Sequence, residues 1–91
     1  MTAGEKPREL SPKTIWEKRQ EAIQYGFSLG SEKPGYDLIG RRGWSACIDR
    51  QTEELVVLRA KFVERNGRPW VNTIYPRGRN CQEYMYLGWR L

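Results

Sequence analysis

The chain of 91 residues contains no histidine. Histidine is the side chain most used to move protons near neutral pH, so no Ser-His-Asp or Cys-His nucleophile arrangement can be assembled. Zinc sites of the Cys₂His₂ kind are excluded too, and two cysteines, Cys47 and Cys81, are too few for a Cys₄ site within one chain. They can form one disulfide or stay as two buried thiols, the thiol reading being favoured in a cytosolic protein, and they form no Cys-x-x-Cys redox pair. The carboxylates show no calcium-loop spacing. No metal and no cofactor are expected. No apolar run approaches the ~20 residues of a membrane span, and Met1 to Leu10 lacks the hydrophobic segment of a secretory signal. The expectation is a cytoplasmic protein without membrane contact.

Carboxylates and lysines are scarce where the positive charge collects. The chain holds 16 basic and 11 acidic residues, a net charge of +5. Residues 1–40 hold six of each sign and sum to zero. Residues 41–91 hold ten basic and five acidic residues, and nine of those ten are arginine, Lys61 being the exception. Arginine presents a planar fork that grips phosphate through two hydrogen bonds and stacks on rings, which a plain solvated surface does not need.

Residues 1–10 are polar, without periodicity, and are expected to be a mobile arm ahead of one domain over 11–91. Ser11-Pro12 reads as a helix start, with Leu10 and Ile15 placed as a hydrophobic staple. The helix runs from Pro12 to about Tyr25, with Ile15, Trp16, Arg19, Ala22 and Ile23 near one face, and ends at Gly26 or Gly30. Tyr36 to Ile39 reads as a short strand. From Trp44 the pattern changes to period two. Val56, Leu58, Ala60 and Phe62 alternate with Leu55, Val57, Arg59, Lys61 and Val63, as in a half-buried antiparallel strand. Asn66-Gly67 is the strongest hairpin signal. Trp70 to Tyr75 returns, Pro76 stops it, and Gln82 to Arg90 is the last strand, with Tyr84 and Tyr86 on one face and Met85, Leu87 and Trp89 on the other. The fold class is α+β: an N-terminal helix packed on a four- to five-stranded antiparallel meander, the alternative being a small SH3-like or OB-like barrel. The expected core is Ile15, Trp16, Ile23, Val56, Leu58, Phe62 and Ile74.

Arginine interleaved with aromatics points first to a nucleic-acid surface. Cations neutralise phosphates, and ring faces hold unpaired bases. The candidate residues are Arg41, Arg42, Arg59, Lys61, Arg65, Arg68, Tyr75, Arg77, Arg79 and Tyr84, with Trp44 and Trp70 as further platforms. RNA is the favoured partner, although no RNA-recognition signature is present. A second class is a protein-binding or inhibitor module, or a homodimer. It would use the sheet face carrying Leu55, Val57 and Val63 beside Arg59 and Lys61. A third is a histidine-free ribonuclease. A helix followed by a basic antiparallel sheet loosely resembles the layout of several small bacterial ribonuclease toxins. The likeness rests on Gly43-Trp44, Ile48-Asp49, Val56-Val57 and Thr73-Ile74-Tyr75-Pro76. Such an enzyme needs a base, an acid and a phosphate clamp, for which Glu83 or Glu64, Tyr75 or Tyr84, and Arg77 or Arg79 are available. Without histidine, binding ranks above catalysis.

Overall fold

Ser11 opens the helix as its sequence suggests. Its hydroxyl accepts from the Thr14 N–H at 3.1 Å, and Pro12 occupies the first turn, where no N–H is needed. The computed structural model describes residues 9–30 and 34–91. Most of the expected arm therefore lies outside the described residues, while Leu10 already packs with Ile15 against the core. Helix α1 spans Pro12–Gln24, and the strands are β1 (Ser28–Leu29), β2 (Arg42–Asp49), β3 (Glu54–Arg65), β4 (Arg68–Ile74) and β5 (Tyr84–Arg90). All pairings are antiparallel, in the order β1-β5-β2-β3-β4. The expected α+β class is what forms. Strands β2, β3 and β4 follow meander order, and β5 returns to lie between β1 and β2. The β3–β4 hairpin turns on Asn66 and Gly67, both at positive φ (53° and 75°), the geometry an Asn-Gly turn provides.

The sheet curls into a half-barrel. Ser45 on β2 and Thr73 on β4 join hydroxyls at 2.7 Å although β3 runs between them. Thr73 lies opposite Ala60 and Ser45 opposite Leu58, so the contact runs diagonally across the inner face of β3. Inside the curl, Phe62 is fully buried with Leu38, Ala60 and Val71, and its ring meets Trp89 edge-on at 5.4 Å and 85°. Gly43 lies against that ring: a β-carbon there would come within 2.9 Å of Phe62 and 2.5 Å of the Arg90 carbonyl oxygen. Helix α1 covers part of the outer face, where Ala22, Phe27, Ala46, Ile48 and Leu87 are buried, with Leu55 and Met85 packed beside them.

Several local expectations are corrected. The segment read as a strand over Tyr36 to Ile39 is a 3₁₀ turn at Tyr36–Leu38. It plugs one end of the half-barrel: Leu38 enters the inner core, and the Gly40 N–H and Arg41 carbonyl bond the Phe62 backbone. Trp16 (62% exposed) and Ile23 (48%) lie outside the core, because the helix buries the line through Ile15 and Ala22 and each sits one residue, about 100°, further round. Ile74 (50% exposed) belongs to the outer face beyond the helix. Trp89 does not side with Met85 and Leu87. A bulge at Leu87 sets Gly88 opposite Ala46 and Tyr86 opposite Cys47, so Trp89 rejoins Tyr84 and Tyr86 inside the curl. The helix also covers the Leu55 face, whereas Val56 and Leu58 share the inner face with Phe62 and are half-buried. No described helix is long and apolar enough to cross a membrane.

Candidate nucleic-acid interface

Residues opposite each other in a ladder, or two apart along one strand, share a face. Arg42 lies opposite Lys61, and Lys61 opposite Asn72. Trp44 lies opposite Arg59, which lies opposite Ile74; on its other side Trp44 faces Arg90. Val63 faces Trp70, and Arg65 faces Arg68. All these positions belong to the outer face. Five predicted cations, Arg42, Arg59, Lys61, Arg65 and Arg68, are thus brought together there, and all five are exposed. The carboxylates of these strands, Asp49, Glu54 and Glu64, alternate onto the inner face. Among the described residues, none of the five cations is held by a carboxylate. Instead Arg59 lies 5.4 Å from the Trp44 ring centroid and Arg65 4.8 Å from that of Trp70, Trp44 being exposed and Trp70 half-buried.

The other predicted residues go elsewhere. Arg41 is exposed at the entrance to β2, and Arg77 in the turn after Pro76. Tyr75 and Tyr84 stack on each other at 5.5 Å across the curl, with Tyr84 buried. Arg79 covers Tyr84 at 4.9 Å, donates to both oxygens of Asp49 at 3.2 and 3.1 Å, and pairs with Glu83. Glu83 also accepts from the Asn80 N–H at 3.4 Å, closing a capping box on the turn Cys81–Glu83. This cluster fastens the 76–83 loop to the end of β2. Both Glu83 oxygens accept a hydrogen bond within this cluster. Sequence reasoning missed Arg90 and Tyr25, which join Trp44 and Val57 at the outer face; Arg90 becomes visible only once β5 is known to lie beside β2. The described residues hold no group of three His, Cys, Asp or Glu that could bind a metal.

Both cysteines are free, Cys47 buried and Cys81 exposed. Burial pushes the Cys47 thiol from 9.0 up to about 12. It also raises Tyr86, and is the first cause of the upward shifts at Tyr75 and Tyr84. In the unfolded chain these groups lose protons from about pH 9 to 10, while the fold keeps them. Their contribution to stability is therefore complete below about pH 9 and is lost as pH climbs through 9 to 12. Urea midpoints are expected to be level from pH 7 to about 9 and to fall steadily above it. A midpoint unchanged at pH 11 would contradict the burial of these four groups.

No family model, curated protein or solved structure matches the chain.

Proposed function

We propose that this chain is a nucleic-acid-binding domain, with RNA favoured, that lays a phosphate backbone along the outer face of β2, β3 and β4. One observation carries the reading: Arg42, Arg59, Lys61, Arg65 and Arg68 share a face with Trp44 and Trp70, and every carboxylate of these strands points the other way. Such a face attracts a polyanion as a whole, and the exposed Trp44 ring adds a contact that suits an unpaired base. The test is affinity for a single-stranded RNA oligonucleotide and for duplex DNA across a range of salt. If all five cations engage phosphates, log K for RNA falls with log salt at a slope of about 3.5, from ~0.7 per contact. Absent or millimolar binding at low salt overturns the reading.

A second reading draws on the exposed apolar side chains of the same face, Trp44, Val57 and Ile74, which suit a protein partner or a second copy of this chain. Elution as a dimer at micromolar concentration, with no RNA affinity, would favour it.

A further inference from the structure

We propose that the hollow between the end of α1 and the outer face of β2 and β3 receives one unpaired nucleobase of the bound strand, which makes the domain select single strands over duplexes. The inference rests on the nucleic-acid reading and adds the ligand geometry to it. The hollow is a cavity of about 350 Å³ lined by Tyr25, Phe27, Trp44, Val57 and Arg90. That is the lower end of the ~300–1,000 Å³ range of small-ligand sites, with room for one ring system rather than a helix or a strand. Tyr25, Trp44 and Val57 are large apolar or aromatic side chains left exposed at its rim.

Two cations bracket this apolar space. Arg90 is held in place: Nη1 donates to the Tyr25 carbonyl oxygen at 2.5 Å, Nε donates to that of Leu91 at 3.4 Å, and the guanidinium carbon lies 5.7 Å from the Phe27 ring centroid. Of its five N–H donors, three remain. Arg59 stands on the other side of Trp44 in the same cross-strand row. An aliphatic guest would make no use of the remaining donors of either guanidinium group. A flat ring carrying a phosphate on either side engages the aromatic walls and both cations together. In a duplex the base faces are already stacked on their neighbours, so such a ring must come from a single strand.

The experiment measures binding of a short single-stranded RNA, a DNA duplex and inorganic polyphosphate, which has the charge and no bases. It compares wild type with Trp44→Leu and, separately, Tyr25→Leu; both residues are exposed, and circular dichroism checks each fold. Trp44→Leu is expected to weaken RNA binding about tenfold, the effect of losing one base–aromatic stack. Affinity for polyphosphate and duplex, and the salt slope, should stay at wild-type values. Unchanged RNA affinity in both variants, or an equal loss for polyphosphate, overturns the base pocket while the nucleic-acid reading stands on the wild-type data. Failure of wild type to bind either RNA or polyphosphate overturns both. Adenosine monophosphate as competitor separates a strand from a free nucleotide: displacement only at millimolar concentration is expected, and micromolar displacement overturns the assignment to a strand.

Discussion

Arg59→Glu combined with Lys61→Glu is expected to reduce RNA affinity about a hundredfold at low salt. Both side chains project from the middle of β3, with Trp44 and Arg42 opposite them on β2, so a backbone crossing the face passes over this pair. Each phosphate contact on a single strand carries a slope of ~0.7, which at about 50 mM salt amounts to roughly eightfold relative to molar salt. Two lost contacts give about sixtyfold, and the new carboxylates add repulsion. The salt slope should shrink by about 1.4. The fold should survive. The Arg59–Trp44 pair is exposed and contributes about 0.5–1 kcal/mol, against a total stability on the order of 5–15 kcal/mol. The control is Lys13→Glu with Arg19→Glu, two exposed positions on α1. Either double change lowers the net charge from +5 to +1, so bulk attraction changes equally in both. The helix variant should keep its RNA affinity to within a few-fold. Equal losses in the two proteins would mean that net charge, not this face, holds the ligand.

That face was legible in the sequence to an instructive depth. Alternation over residues 54–64 places Arg59 and Lys61 together without any structure, because side chains two apart on a strand must share a face. Asn66-Gly67 then fixes the hairpin register, and with it the pairing of Arg65 with Arg68 and Val63 with Trp70. Neither signal says what covers a face. The sequence reading put α1 over Val56, Leu58 and Phe62, but curling the sheet buries that side against itself and leaves the other to the helix. Non-local neighbours were equally hidden. Nothing near Arg90 in the chain predicts that β5 returns beside β2, yet this alone sets Arg90 next to Trp44 and completes the hollow. Tyr75, Arg79 and Tyr84 show the converse error. Their residue types suit RNA, but the curl turns Tyr75 and Tyr84 toward each other, and Asp49 and Glu83 take up Arg79. Composition ranks side chains by what they can bind, whereas topology decides what has already bound them.

Phe62→Ala and Ile74→Ala should separate widely, although the sequence placed both residues in the core. Phe62 is fully buried, packed with Leu38, Ala60 and Val71 and edge-on to Trp89. Removing its ring is expected to cost about 3–5 kcal/mol, the transfer term plus the cavity left behind. Collapse into that cavity is restricted: the backbone on one side carries no side chain at Gly43, and the Phe62 amide and carbonyl are tied to Arg41 and Gly40. For a chain of this size each kcal/mol shifts Tm by roughly 4–8 °C, so a loss of more than about 12 °C follows, enough to leave the variant partly unfolded near body temperature. Ile74 is half exposed on the outer face, and its truncation should cost less than about 1 kcal/mol. Urea unfolding of the two variants, with unchanged m-values, measures the difference directly. Near-ultraviolet circular dichroism adds a local reading, since Trp89 loses its ring partner only in the first. If the two substitutions cost the same, the half-barrel interior is not where the sheet is held together. The part of the outer face beyond the helix would then be packed like the part beneath it rather than open to a ligand, so this pair bears on the binding proposal as much as on the fold.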